Sequence, residues 1–209
     1  MPRLLVITLV VLATFFWGGS FIASKIVVTY VAPVTAASIR FIIAALLLIM
    51  IVLYRKSYSI KVIKENILAY FLLGFLGIAA FNFCLFLGLK YTSPINGALI
   101  MATNPLVTLL LTALLFQEPI RRNQKIGILL SFMGVSIVLT NGDIKLLLAL
   151  DIAPGDGIIM IGNICFALYA IVNKRFVKHH DPLLTTTMSM IIGAFILVLF
   201  LPFEPSIAI

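Results

Sequence analysis

One apolar segment, residues 95–116, carries polar side chains at helical spacing. They are Asn96, Asn104, Thr108 and Thr112. Residues at i and i+4 are neighbours on a helix face, and these four are separated by 8, 4 and 4 positions, so we expect them to form one polar stripe. Pro105 lies within the stripe, cannot donate a backbone hydrogen bond and frees the carbonyl of Met101. We favour coordination of a small solute by Asn104 and this carbonyl; hydrogen bonding between neighbouring helices, worth roughly 0.6 kcal/mol per bond in membranes, is the alternative.

Three other apolar segments supply side chains of the same kind. Trp17 and Ser20 share one face of the first segment, where the indole either forms a wall of a solute cavity or packs between helices. Asn82 in the third segment is a further candidate hydrogen-bonding group. Tyr169 in the sixth is a second candidate aromatic wall.

Two cations stand near the ends of apolar segments. Lys25 and Arg40 have no acidic residue within any apolar segment to pair with. A long cationic side chain near the end of a span can reach the membrane interface at little cost. The alternative is that both cations attract anionic solutes toward a vestibule.

Several kinds of chemistry lack the residues they require. The apolar segments contain no His, Asp or Glu, which excludes a Ser–His dyad, an aspartyl pair and a zinc site within them. The chain also lacks a glycine-rich phosphate loop followed by Lys and Ser or Thr. We therefore expect no enzymatic activity, no metal and no cofactor.

Long apolar runs must position these residues. The chain has 209 residues, of which 63% are hydrophobic and 11% charged. A helix needs about 20 apolar residues to cross a bilayer, and the runs are continuous rather than alternating, which favours helices over strands. We predict an all-α membrane protein, a polytopic bundle of about seven transmembrane helices at residues 5–28, 34–53, 68–89, 95–116, 125–140, 157–172 and 183–201.

The net charge of +8 is distributed unevenly between the loops. Eleven of the 15 Lys and Arg residues fall on one side of the predicted membrane if the N-terminus is cytoplasmic. Cytoplasmic loops are enriched in Lys and Arg. The sequence therefore predicts a multi-pass protein of the cell membrane with a cytoplasmic N-terminus, and the basic excess is not a sign of nucleic-acid binding.

The chain repeats itself at an offset of 149 residues. Trp17, Lys25 and Pro33 correspond to Phe166, Lys174 and Pro182. The first copy contains an odd number of spans, so the second copy is inverted in the membrane, as in many secondary carriers. We predict a five-span unit at residues 1–142 and the first two spans of a second, inverted unit at residues 143–209.

Five segments, in this order, carry a family resemblance: FFWGGSFIASKIVV, IRFIIAALLL, SPINGALIMATNPLVTLLLTALLFQEPI, KIGILLSFMGVSIVL and GDGIIMIGNICFALYAIVNKRF. Together they resemble the EamA-type proteins of the drug/metabolite transporter superfamily, which have ten spans in two five-span halves. The resemblance implies export or exchange of a small metabolite or amino-acid-like solute by alternating access, with a site between spans one, three, four and six. Two alternatives stay open: an inactive fragment, or a structural subunit that completes its bundle with another protein or, as a homodimer, with a second copy.

Overall fold

Helices make up the structure, a computed structural model that describes residues 3–139, 153–177 and 181–204. No strand occurs in these ranges. The elements are α1 (Arg3–Val27), α2 (Pro33–Arg55), α3 (Ile60–Leu73), a π-helical segment (Gly74–Ala80), α4 (Phe81–Tyr91), α5 (Pro94–Ala102), α6 (Asn104–Phe116), α7 (Arg122–Leu139), α8 (Pro154–Phe176), α9 (Pro182–Phe200) and a 3-10 turn (Leu201–Phe203).

Six continuous helical stretches within the described ranges are long and apolar enough to cross a membrane. They are Leu4–Tyr30, Pro33–Arg55, Ile60–Tyr91, Pro94–Phe116, Pro154–Phe176 and Pro182–Phe203. They coincide with the predicted spans one to four, six and seven. The predicted fifth span coincides with α7, whose first turn is polar and begins with Arg122 and Asn123. The predicted all-α, polytopic membrane fold is confirmed.

Proline and capping residues set several of the helix ends. Proline stands in the first turn of α2, α5, α6, α8 and α9, where its missing N–H would have no partner in any case. Ser93 caps α5 by accepting from the Asn96 amide at 3.0 Å. Asp181 caps α9 by accepting from the Leu183 and Leu184 amides. These signals explain why the helices run past the apolar segments that predict them.

The helix ends gather at two sides of the bundle. Lys25 at the end of α1 contacts the end of α4, and we name this end of the bundle the Lys25 side. The helices α2, α5 and α8 begin on the Lys25 side. Arg175 at the end of α8 contacts Glu118, which follows α6, and we name this opposite end of the bundle the Arg175 side. The helices α3, α7 and α9 begin on the Arg175 side.

The tightest packing in the described bundle brings α8 against α4 and α9 against α2 and the π-helical segment. Gly155 of α8 approaches the α4 backbone so closely that a Cβ there would overlap the Gly88 carbonyl. By contrast, the buried residues of this region are Ser24 near the end of α1 and Val28 directly after it, while residues 4–19 are exposed. The predicted boundary between the two units, after residue 142, lies outside the described residues.

Candidate functional site

A cavity of about 800 Å³ lies between α1, α5, α6 and α8. We name it the main cavity. Most of its lining is apolar, and the lining residues used below are Trp17, Phe21, Met101, Asn104 and Phe166. Of the candidate site residues predicted from sequence, Trp17 and Asn104 line this cavity. Its size and its apolar walls with a single amide are typical of a site for a small organic molecule.

Aromatic rings form one wall of the main cavity. The Trp17 and Phe166 ring centroids are 5.8 Å apart, and Phe166 stacks on Tyr169 at 5.5 Å. Tyr169 therefore supports the wall from behind and does not line the cavity. Trp17 and Phe166 are equivalent positions of the 149-residue repeat, so the repeat brings its own equivalent aromatics into contact.

The polar part of the main cavity is built at a break between two helices. The α5 helix ends at Ala102 and α6 begins at Asn104, immediately before Pro105. Asn104 Nδ2 donates to Asn163 Oδ1 at 2.7 Å and to the Asn163 carbonyl at 3.2 Å. Asn163 is fully buried, and its amide donates to the Ile100 carbonyl and to the Thr103 hydroxyl, both at 2.9 Å. The proline does mark a break, and the carbonyl that a side chain binds there is that of Ile100 rather than Met101.

Two of the predicted polar residues donate hydrogen bonds to backbone carbonyls three or four positions earlier in the chain. Ser20 Oγ donates to the Trp17 carbonyl at 2.7 Å. Asn82 is buried and donates to the Ile78 carbonyl at 2.9 Å, inside the π-helical segment. Neither side chain lines the main cavity.

Lys25 and Asn96 belong to one hydrogen-bond network on the Lys25 side. Lys25 Nζ donates to the carbonyls of Leu89 at 2.6 Å and Thr92 at 2.8 Å. The Asp156 carboxylate accepts from the Thr92 hydroxyl at 2.5 Å and from Asn96 Nδ2 at 3.1 Å. The network ties α1, α4, α5 and α8 together, and a cation at the C-terminal end of a helix is electrostatically favourable.

Arg40 lies apart from this network. It is exposed on α2, with its guanidinium carbon 5.4 Å from the centre of the Phe41 ring. It therefore lines neither the main cavity nor the smaller cavity next to it.

That smaller cavity, the second cavity, has a volume of about 480 Å³ and lies toward the Arg175 side. It shares Asn104 and Pro105 with the main cavity. Thr108 and Thr112 line it, as do the charged side chains of Glu118, Lys174 and Arg175. The stripe predicted in residues 95–116 therefore divides: Asn96 joins the Lys25-side network, while the other three members face the two cavities.

Sequence reasoning left four residues of this region out of the candidate site. Phe166 is recognisable only as the repeat equivalent of Trp17, and Asn163 only as an amide in an apolar span. Glu118 and Arg175 stand 57 positions apart, and no pattern in one sequence pairs them. In the described residues no cluster of three His, Cys, Asp or Glu side chains could hold a metal ion.

Known proteins resemble this chain over most of its length. It is 42% identical over 179 residues to an uncharacterized transporter, YyaM, of Bacillus subtilis, a match that covers 86% of this chain and 59% of the relative. It is 27% identical to an uncharacterized transporter of Archaeoglobus fulgidus, over 90% of this chain and 64% of the relative. The chain thus spans less than two thirds of the length of these two relatives.

A solved crystal structure has the same fold over 91% of this chain and 67% of its own, with a TM-score of 0.60 and 20% identity. The family model described as the EamA-like transporter family matches residues 4–140 and 153–208. Because these two segments make up most of the sequence, the chain belongs to the EamA-like transporter family.

Proposed function

We propose that this chain acts in secondary transport, as an exporter or exchanger of a small metabolite or amino-acid-like solute. The observation that carries the proposal is the main cavity, which lies at a helix break where Asn104 faces an otherwise apolar space. Broken helices at a central site are typical of secondary carriers. Trp17 and Phe166 would contact the apolar part of the solute, and Asn104 would hydrogen-bond its polar part.

Alternating access requires a closure on each side of the cavity. The Lys25–Thr92–Asp156 network joins four helices on one side. The ion pair of Glu118 and Arg175 joins two on the other. In this proposal the two closures open in turn. Ser20, Asn82, Asn96 and Tyr169 then act by shaping the helices around the cavity, and a direct contact of these four with solute stays a prediction.

Two observations support the predicted organisation into units at residues 1–142 and 143–209. The family model matches the chain in two segments, 4–140 and 153–208. Lys25 and its repeat equivalent Lys174 stand at opposite sides of the bundle, as an inverted repeat requires. The proposed location is the cell membrane, with the N-terminus in the cytoplasm.

A second candidate function is that of an assembly subunit without transport of its own. The observation in its favour is α1, which leaves residues 4–19 exposed along one border of the main cavity. A second copy of this chain or another membrane protein could cover that surface. A homodimer is the simplest such assembly.

Transport in proteoliposomes tests the proposal. We would measure counterflow of each of the 20 radiolabelled proteinogenic amino acids through the purified chain, alongside Asn104→Ala. We expect Asn104→Ala to lose counterflow of any solute that the parent moves, while its amount in the proteoliposomes matches that of the control Thr8→Ala, whose hydroxyl bonds only within exposed α1.

Parental counterflow in Asn104→Ala would show that the amide only joins helices. Absence of counterflow for all the amino acids, with a dimer or larger assembly in native mass spectrometry, would favour the assembly subunit.

A further inference from the structure

The second cavity has a charged lining, to which the proposed transport cycle assigns only the ion pair that closes the Arg175 side. The charged side chains that line it are Glu118, Lys174 and Arg175, so two cations stand against one carboxylate. The rest of the lining is uncharged, including Asn104 and Thr108. A partly enclosed cavity with one excess positive charge favours an occupant with one negative charge, because charges interact more strongly there than in bulk water.

Arg175 is held in a position suited to binding a carboxylate. Its guanidinium carbon lies 4.5 Å from the centre of the Phe116 ring, a stacking that orients the planar group and leaves its N–H edge available. That edge now contacts one oxygen of Glu118. The Arg175 and Glu118 side chains are 34% and 50% exposed, so their ion pair is of the weak, solvent-accessible kind and can be exchanged for another carboxylate.

The neighbouring hydroxyls donate their hydrogens within α6. Thr112 Oγ1 donates to the Thr108 carbonyl at 2.7 Å, and Thr108 Oγ1 donates to Asn104 Oδ1 at 3.4 Å. Their hydrogens are therefore committed along the α6 stripe. Lys174 and Arg175 are the charged donors in the lining that can recognise an anion.

We propose that the second cavity is a subsite for the carboxylate of a small organic solute, with Arg175 as its main ligand, Lys174 as a second cation, and Glu118 as the group that the solute displaces. The inference rests on the proposed function for its biological role, since the second cavity joins the main cavity at Asn104. It narrows the solute to a carboxylate that enters or leaves on the Arg175 side. Displacement of Glu118 would also separate α6 from α8 at this end.

Binding of benzoate and of its neutral isostere benzamide tests the subsite. Saturation-transfer NMR would measure both dissociation constants on the chain in lipid nanodiscs, with empty nanodiscs as the blank. We expect the parent to bind benzoate about tenfold more tightly than benzamide, because a charge-assisted hydrogen bond to Arg is stronger than a neutral one. Arg175→Gln should abolish that preference. The control Arg55→Gln, an exposed cation on the same side that lines neither cavity, should retain it.

Glu118→Gln separates the proposal from a loss of folding. Removing the competing carboxylate should tighten benzoate binding by about two- to fivefold, the range of a solvent-accessible ion pair, and leave benzamide unchanged. Weaker benzoate binding in Glu118→Gln, or equal binding of benzoate and benzamide by the parent, would overturn the subsite. Displacement of benzoate by equimolar inorganic phosphate would overturn the assignment to an organic carboxylate.

The two proposals fail separately. If the benzoate pattern holds and no amino acid undergoes counterflow, transport alone is wrong. If counterflow occurs and the parent binds benzoate and benzamide alike, the carboxylate subsite alone is wrong.

Discussion

Asn163 satisfies the backbone at the helix break beside the main cavity. It is fully buried, donates to Ile100 and Thr103, and accepts from Asn104. Asn163→Ala would remove the hydrogen bonds that this side chain makes to the Ile100 carbonyl, the Thr103 hydroxyl and Asn104 Nδ2, while the Ile100 carbonyl keeps its bonds from Thr103. A hydrogen bond contributes about 0.5–1.5 kcal/mol net, so we expect the variant to lose roughly 1–3 kcal/mol of stability and to unfold at a lower temperature in detergent.

Thr186→Ala is the control for that measurement, because the Thr186 hydroxyl is exposed and bonds only to the Pro182 carbonyl of its own helix. Equal melting temperatures of Asn163→Ala and Thr186→Ala would mean that water or lipid replaces the lost hydrogen bonds. The amide pair would then have no structural role.

Asp181 makes the stability of α9 dependent on pH. The Ser57 hydroxyl, 2.6 Å from Asp181 Oδ2, is the main cause that lowers the pKa of this carboxyl below 3.8, and the Leu184 and Leu183 amides add to it. A lowered folded-state pKa contributes stability above the unfolded pKa and loses it as pH falls through the folded value. Loss of a helix cap lowers the free energy of unfolding by about 0.5–2 kcal/mol. We expect Asp181→Ala to lie toward the lower end of that range at pH 7, because the carboxylate is mostly solvated.

Thermal melts of the parent and Asp181→Ala between pH 7 and pH 3 check this dependence. The difference between the two should shrink below pH 4, as the parent carboxyl takes up its proton. A difference that stays constant across this range would assign the loss to packing rather than to the charged cap.

Contact between α4 and α8 depends on glycine. A Cβ at Gly155 would overlap the Gly88 carbonyl and lie 2.9 Å from the Thr92 amide; backbone atoms cannot rotate away as a side chain can. We expect Gly155→Ala to destabilise the bundle by about 1–3 kcal/mol, the usual cost of overpacking. Gly157, two residues further along α8, has open space where its Cβ would stand. Gly157→Ala should therefore melt at or slightly above the parental temperature, and equal melting of both variants would show that α8 shifts to accommodate the methyl.

Apolar runs were sufficient to predict the helices because burial in lipid requires about 20 apolar residues per span whatever their partners. The helix break was predictable as well, since Pro105 acts on its own backbone. The hydrogen-bond partners that a side chain finds on another helix were not predictable. The carbonyls that Lys25 binds belong to residues 64 and 67 positions away, and their placement depends on how α1 packs beside α4. The same limit applies to Asn96, whose spacing indicated a cavity stripe and whose amide binds Asp156 of α8.

At the scale of the whole molecule, the two polar closures differ in strength. The Lys25 side combines the Lys25 ammonium, the Asp156 carboxylate and close α4–α8 packing at Gly155. The Arg175 side has one solvent-accessible ion pair in the lining of the second cavity. We therefore expect the closure on the Arg175 side, which under the proposed orientation is the cytoplasmic side, to open more readily.

The orientation of the bundle follows from the loop charges and can be measured directly. The described loops and helix ends of the Arg175 side carry most of the Lys and Arg residues, among them Arg55 and Lys56 at the end of α2 and Lys61 and Lys64 at the start of α3. Cytoplasmic loops retain such residues, so we expect the Arg175 side to face the cytoplasm.

Thr29→Cys and Tyr58→Cys place a thiol on exposed positions of the Lys25 side and the Arg175 side, respectively. A membrane-impermeant maleimide should label Thr29→Cys in intact cells and Tyr58→Cys only in inside-out vesicles. The parent chain is the blank, because its Cys84 and Cys165 lie within spans. The reverse labelling pattern would place the open second cavity outside the cell, and the carboxylate subsite would then face the extracellular solution.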